Sequence, residues 1–305
     1  MIPISSRNNL NGYISPGMKL LFGQPIGTVS VERVAKRNWS VVGIASATDG
    51  RRFFVKQFLG PRRELSPRAM LAECSSARLA ANFLTPHIEV SLPQAHIENR
   101  ALALYPLKVI NTPDEIIRRD HAAFRGQWPA ICESMSTVLE VLRGDEALRY
   151  AEEANLKRRR LEGPERRLSS VCFKGLELRN VSLDPTTNKL TIFDLGPACV
   201  GPASEGVARV AVSALLLNWG RPLRRFRLGP PAARFNELLD SVGLDVKEAC
   251  YRELDLQISS RVTSVKGASS AERTVKRALL FPFASRYETM CRRAIYEYYD
   301  EPRDY

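Results

Sequence analysis

Long apolar runs are scarce in this sequence. The most apolar stretch, residues 207–217, is interrupted by Arg209, whereas a membrane-spanning helix needs about 20 consecutive apolar residues. Residues 1–17 are polar and rich in turn-forming residues, and they lack the apolar segment of a secretory signal peptide. We therefore expect a cytoplasmic protein without a membrane span.

Clusters of metal-binding or disulfide-forming residues are also lacking. The six cysteines are scattered without a Cys-x-x-Cys pair, and the three histidines do not complete a metal site. This pattern predicts buried free thiols in a reducing compartment.

Acidic residues are outnumbered, with 33 Asp and Glu against 45 Lys and Arg, so the net charge is +12. A chain this basic favours anionic partners: nucleotide phosphates, an acidic protein or peptide surface, or nucleic acid. A solvated basic surface that binds no partner explains the charge equally well. The shortage of acids argues against a pocket for a polycationic substrate.

A β-hairpin is predicted near the middle of the chain. Residues 181–183 and 190–193 are short apolar strands, and the segment Asp-Pro-Thr-Thr-Asn between them supplies the turn. The hairpin brings Asn180, at one base, beside Asp194, at the other. A carboxylate and an amide oxygen that converge in this way suit Mg²⁺.

A second pair of polar residues lies on apolar surfaces earlier in the chain. Lys56 stands within the apolar strand 53–58, and Glu73 falls on the apolar stripe of a helix over residues 68–84. Ser66 precedes that helix as a good N-cap. Because buried charges are rarely unpaired, the pattern predicts an ion pair between Lys56 and Glu73.

The loop that ends in Asn180, the hairpin and the segment Asp194-Leu195-Gly196 together resemble the catalytic loop and metal-binding segment of the protein-kinase-like fold. The most similar branch is that of the aminoglycoside phosphotransferases and related small-molecule, lipopolysaccharide and peptide kinases. In that family the loop reads His-Gly-Asp-Leu-x-x-x-Asn. Here Leu176 matches the Leu, but Gly175 stands at the catalytic Asp and Phe173 at the His.

The resemblance implies an α+β, bilobal fold. An N-terminal arm would cover residues 1–27, and an N-lobe with a five-stranded antiparallel sheet and one helix would cover residues 28–105. A mainly helical C-lobe would follow over residues 106–305, with the catalytic-like loop at 173–180 and the metal segment at 194–196. The five strands are expected at residues 28–34, 39–47, 52–59, 87–90 and 101–105.

The resemblance also implies ATP and Mg²⁺ as cofactors. Lys56, paired with Glu73, would bind phosphate, and Asn180 and Asp194 would bind the metal. The backbone near Tyr105 and Leu107 would bind adenine, although a simple crossover between the lobes uses the same residues. The turn at residues 35–38, which covers the phosphates in the family, contains no glycine here, and its cations could contribute charge instead.

The missing loop carboxylate leaves three functions open. The first is a nucleotide-binding, pseudokinase-like protein that acts as a binding or regulatory partner. The second is an active phosphotransferase on a peptide, protein or small molecule other than an aminoglycoside, with Glu177 or a partner-supplied group as the base. Glu177 could instead form a surface ion pair with Arg179 or Lys174. The third is a basic scaffold that binds nucleic acid or peptide without nucleotide.

Two further expectations concern the catalytic-like loop and the basic clusters. Gly175→Asp is expected to place a carboxylate beside the γ-phosphate. Residues 157–160 and 221–227 are rich in cations and are candidate anion sites, with a solvated helix end as the alternative for the first cluster.

Overall fold

The structure is a computed structural model. It describes residues 19–20, 29–36, 40–47, 50–60, 64–106, 112–158, 169–184, 187, 189–217, 231–263 and 270–300. Leu107 and the basic cluster at 221–227, both named above, lie outside the described residues, as do two residues of the cluster at 157–160.

Strands and helices occur in the following order. The strands are β1 (Lys19–Leu20), β2 (Val29–Lys36), β3 (Ser40–Ala47), β4 (Arg52–Phe58), β5 (Glu89–Val90), β6 (Ala95–Ile97), β7 (Leu102–Pro106), β8 (Ser169–Phe173), β9 (Val181–Leu183), β10 (Leu190–Ile192) and β11 (Ala198–Pro202). The helices are α1 (Pro67–Leu84), α2 (Pro113–Arg119), α3 (His121–Arg143), α4 (Asp145–Glu153), α5 (Ala203–Leu215), α6 (Pro231–Val242), α7 (Lys247–Thr263) and α8 (Ser270–Asp300).

The chain divides into two compact units. The first consists of Met1–Ile110 together with Phe173–Gly175 and Thr191–Ala198, and the second contains the remainder. The expected α+β fold is confirmed, with a sheet and one long helix in the first unit and mainly helices in the second.

An antiparallel sheet forms the centre of the first unit. Its strand order is β1-β6-β7-β4-β3-β2, so β4 lies in the interior between β3 and β7. The side chains of Ala45, Val55 and Leu104 on these three strands are completely buried. A residue on β4 is therefore held from both sides by ladder hydrogen bonds.

The prediction of five strands is wrong, since this sheet has six: β1 and β6 were not predicted, and β5 is not part of it. Strand β1 comes from the expected arm 1–27 and pairs with β6, Lys19 opposite His96. Strand β5, expected in the sheet, instead pairs in parallel with Thr191 and Ile192 of β10. Strands of two or three residues are too short to show the alternation by which a strand is recognised in a sequence.

Helix α1 begins and ends close to the predicted residues. The Ser66 hydroxyl accepts a hydrogen bond from Ala69 N at 3.3 Å, and Pro67 occupies the first turn. Its buried side chains include Met70, Glu73 and Cys74. Met70 and Cys74 pack in an apolar cluster with Phe58 of β4 and with Tyr105 of β7, so α1 lies against the face of the sheet that carries Lys56.

The second unit is built around a helix that is apolar on nearly all sides. Ten of the residues in α5 are buried, as expected for a helix enclosed by others, and α5 packs against α6 and α7. The predicted hairpin is present as β9 and β10, with Asp184 N donating to Lys189 O at 3.0 Å.

Two further observations concern the whole described chain. All six cysteines are free thiols, five of them buried and Cys199 half-buried. No helix among the described residues is long and apolar enough to cross a membrane.

The cap of α1 generates a stability prediction. Ser66→Ala removes the side-chain acceptor for a helical N–H group, so it should lower the free energy of unfolding by about 1 kcal/mol, measured by urea denaturation. Ser66→Asp keeps an acceptor and should preserve most of the stability. An equal loss in both variants would show that the hydroxyl does not act as a cap.

Candidate functional site

The centre of the candidate site is the Lys56 ammonium group. Lys56 lies on β4 opposite Val42 and Ala103, and 9% of the residue is exposed. Its Nζ donates to both carboxylate oxygens of Glu73, at 2.9 and 2.7 Å, and to Asp194 Oδ1 at 2.6 Å. These contacts use all three ammonium protons. The ion pair predicted between Lys56 and Glu73 is therefore present, and Asp194 joins it.

Glu73 has a further hydrogen-bond donor that the sequence analysis missed. The hydroxyl of Tyr105, on β7, donates to Glu73 Oε1 at 2.9 Å. The resemblance implied a role only for the backbone near Tyr105. Strand pairing contained the missing signal, because Phe54 and Tyr105 are directly opposite in the ladder. Opposite residues present their side chains on one face of a sheet, and Phe54 shares its face with Lys56.

Asp194 is held in an unusual backbone conformation. Its φ of 54° lies in the left-handed region, which residues other than glycine adopt infrequently. The preceding strand is fixed by its pairing with β5, and Ala198 N, just beyond the segment, donates to the Ser76 hydroxyl at 2.9 Å. A conformation of this kind persists only when its surroundings determine it, and such residues cluster at functional sites.

Charge and burial act in opposite directions in this group. Burial raises the pKa of Glu73 to about 7, against the opposing effect of Lys56, and the charge of Asp194 adds to the rise. Burial also disfavours the charge on Lys56, but Asp194 and Glu73 outweigh it and raise the pKa of the ammonium. The Lys56 ammonium thus pairs with both carboxylates, and these keep it charged.

Gly175 packs directly against the backbone of Asp194. Its N–H donates to Leu195 O at 2.7 Å, and the neighbouring Lys174 N donates to Pro197 O at 3.1 Å. A Cβ atom at residue 175 would lie 1.9 Å from the carbonyl oxygen of Asp194. The expectation that Gly175→Asp would present a useful carboxylate is therefore wrong, because no side chain fits there without displacing the metal segment.

Glu177 and Asn180 belong to the second unit. Glu177 is buried and pairs with Arg179, whose Nη2 donates to Glu177 Oε1 at 3.1 Å and whose Nε lies 2.6 Å from Oε2. The partner Arg179 agrees with the sequence analysis, but the surface location does not. Asn180 ends a short 3₁₀ turn, and its N–H donates to Glu177 O at 2.8 Å.

The donor types partly fit a divalent cation. Asp194 supplies a carboxylate of which about half is exposed, at 49%. No group of three or more His, Cys, Asp or Glu residues suited to a metal ion occurs in the described part of the chain. Magnesium is commonly bound by one or two carboxylates plus substrate phosphates. The Asp194 carboxylate is therefore a donor of the type that suits a metal whose remaining ligands come with a nucleotide.

The buried ion pair generates a pH-dependent prediction. Lys56→Met leaves the Glu73 carboxylate without its cation, which should cost about 3–5 kcal/mol of unfolding free energy. The folded-state pKa of Glu73, about 7, lies above its ordinary value of 4.5, so the folded state binds the proton more tightly and stability falls as pH rises through this range. Without Lys56 the pKa rises further, and the cost of the substitution should grow with pH.

Urea denaturation at about pH 6 and about pH 8.5 checks this sign. Lys189→Met, at an exposed lysine, is the matched control and should have little effect at either pH. A cost of Lys56→Met that is the same at both pH values would contradict the charge assignment of Glu73.

The close packing of Gly175 generates another prediction. Gly175→Ala should lower the free energy of unfolding by at least the 1–3 kcal/mol typical of overpacking, because its Cβ meets backbone atoms rather than a mobile side chain. Gly126→Ala is the control: it lies exposed in α3 with nothing within 4 Å of the new Cβ, and should stabilise by about 0.5–1 kcal/mol. Equal melting temperatures for the wild type and Gly175→Ala would refute the packing.

Comparisons with known proteins bear on the fold. No protein-family model and no curated protein matches the sequence. Among solved structures, a type I macrolide 2'-phosphotransferase is similar with a TM-score of 0.50 and 15% identity, over 97% of this chain and 99% of that chain. An amicoumacin kinase (TM-score 0.49, 11% identity, 85% and 88% coverage) and a Brachybacterium faecium macrolide 2'-phosphotransferase (0.45, 14%, 97% and 98%) are also similar. The first of these similarities, at 15% identity, shows a shared fold, the protein-kinase-like fold.

Proposed function

We propose that this protein binds a nucleotide through Lys56 and acts as a binding or regulatory partner rather than as an efficient phosphotransferase. The observation that carries the proposal is the Lys56 ammonium held by Glu73 and Asp194 within one unit. A lysine on a sheet, paired with a glutamate on the adjacent helix, is the arrangement by which this fold binds nucleotide phosphates.

Each residue has a distinct part in nucleotide binding. Lys56 donates hydrogen bonds to phosphate oxygens, and Glu73 keeps the ammonium charged and oriented. Asp194 and Asn180 are the residues that would hold Mg²⁺. A bound Mg²⁺ would supply positive charge that neutralises the phosphates. ATP with Mg²⁺ is accordingly the proposed ligand.

The regulatory part of the proposal depends on residue 175. The position that corresponds to the family's catalytic Asp is a glycine, and the backbone of Asp194 fills the space that a side chain would occupy. Loss of a general base typically costs about 10²–10⁴ in rate. The nucleotide would then serve to order the protein for an anionic partner, such as an acidic protein or peptide surface or a nucleic acid.

A second candidate function is ATP-dependent phosphotransfer to an acceptor other than an aminoglycoside. Glu177 favours it, since it is a buried carboxylate on the same loop, two residues beyond Gly175. Its carboxylate contacts Arg179 and would be the group that accepts the proton of the acceptor hydroxyl. A base supplied by a partner is the other route to activity.

The ATP proposal predicts a thermal shift. ATP with Mg²⁺ at about 100 times its dissociation constant should stabilise the folded protein by about 2.7 kcal/mol and raise the melting temperature visibly. Asp194→Asn should abolish the Mg²⁺-dependent part, whereas Asp240→Asn, distant in sequence on α6, should leave it intact. An unchanged melting temperature in the wild type would favour the scaffold that binds no nucleotide.

Phosphate release and transfer distinguish the two nucleotide-binding functions. The regulatory proposal predicts negligible ATP turnover by the wild type, measured as phosphate release over hours. The second candidate predicts turnover that Glu177→Gln reduces by about 10²–10⁴. Turnover that survives Glu177→Gln would indicate a base from elsewhere.

A further inference from the structure

Tyr105 is the part of the site that the proposed function leaves without a role. The side chain is nearly enclosed, at 7% exposure, in the apolar cluster that contains Phe58 and Met70. Its polar hydroxyl is nevertheless satisfied, because it donates to Glu73 Oε1 at 2.9 Å. The ring also lies 6.3 Å from that of Phe54, tilted by 54°. Packing therefore fixes the orientation of the Tyr105 ring, and this orientation directs the hydroxyl towards Glu73.

The hydrogen bonds of Lys56 limit how a phosphate can bind. All three ammonium protons are already directed at carboxylate oxygens, two at Glu73 and one at Asp194. A phosphate oxygen can accept a hydrogen bond from the Lys56 ammonium only after one of these carboxylate oxygens has ceased to accept one. Phosphate binding is therefore an exchange of one anion for another.

The two carboxylates are unequally held. Glu73 is buried, with a side-chain exposure of 9%, and it accepts from Tyr105 as well as from Lys56. Asp194 shares only one oxygen with Lys56, and 49% of its side chain is exposed. Water can replace the lost contact at Asp194 but not at Glu73. The geometry favours Asp194 as the group that leaves Lys56.

We propose that Tyr105 is a positioning residue, whose hydroxyl holds Glu73 so that Lys56 exchanges Asp194 for a nucleotide phosphate. The exchange of Asp194 for phosphate rests on the proposed nucleotide binding. The hydrogen bond from the Tyr105 hydroxyl to Glu73 does not depend on nucleotide. The phenol acts through Glu73 and needs no contact with the nucleotide.

The charged and titratable groups around Glu73 come from several elements. Lys56 faces it from β4 and Tyr105 from β7, and the charge of Asp194 also acts on it. Cys74, on the same helix, interacts with Glu73, Arg78 and Lys56 and also forms a side-chain hydrogen bond with Tyr105. Of these groups, Lys56 and Tyr105 favour the ionised carboxylate, whereas burial and Asp194 oppose it.

The first experiment uses the protein without nucleotide. Tyr105→Phe keeps the ring and removes only the hydroxyl. The melting temperature of the wild type should exceed that of Tyr105→Phe by an amount that grows as pH rises through about 7, because the lost donor matters most when Glu73 is ionised. Tyr296→Phe, at an exposed tyrosine with 54% exposure, is the control and should show no such trend. A difference in melting temperature that does not change with pH would show that the Tyr105 hydroxyl does not hold the ionised Glu73 in place.

The second experiment measures ATP affinity by calorimetry in the presence of Mg²⁺. Tyr105→Phe should weaken binding by about tenfold or more, as expected for loss of a hydrogen bond to a charged group. In a Glu73→Ala background the same substitution should have no further effect. An equal loss in both backgrounds would overturn the positioning role.

The two experiments separate the two proposals. If the wild type does not bind ATP, the proposed function and the anion exchange both fail, and the pH trend alone decides whether Tyr105 holds Glu73. If ATP binds but Tyr105→Phe binds it equally well, the exchange fails and nucleotide binding stands.

Discussion

Placing one ammonium ion between two carboxylates is the constraint on which the first unit depends. Lys56 lies on an interior strand, where water cannot solvate its charge, and a buried charge is tolerated only when it is paired and hydrogen-bonded. Glu73 meets this need from α1 and Asp194 from the segment after β10. Strand β4, helix α1 and the segment that carries Asp194 thus meet at one atom, Lys56 Nζ. The excess negative charge of the group suits a site that would receive a cation together with an anionic ligand.

Gly175 and Gly196 are glycines for different physical reasons. It is required for space, since the Asp194 carbonyl occupies the position of a side chain, whereas Gly196 adopts a positive φ of 63°. The segment that carries Asp194 therefore rests on the chain at Gly175. The same close approach excludes a side chain at residue 175, where the sequence resemblance places the catalytic Asp.

Local sequence patterns predicted the parts of the fold that short-range physics determines. Ser66 and the apolar stripe located α1, and the turn residues located the hairpin of β9 and β10. The pairing of Lys56 with Glu73 followed from the improbability of two unpaired charges on apolar faces. Strands β1 and β5 were misassigned because two residues carry no periodicity. The contact between Lys56 and Asp194 joins residues 138 positions apart, and the packing of Gly175 depends on backbone atoms, so neither leaves a pattern in the sequence.

The central claim is that Lys56 is the group that receives the nucleotide phosphate. The most direct test is calorimetric titration of ATP with Mg²⁺ into the wild type and Lys56→Met, with Lys189→Met as the control for loss of one positive charge. Circular dichroism would first establish that each variant is folded under the conditions of the titration. The account predicts binding by the wild type and by Lys189→Met, and affinity lower by about tenfold or more for Lys56→Met, as expected for loss of a charged hydrogen bond. Equal affinities in all three proteins, or no binding by the wild type, would contradict it.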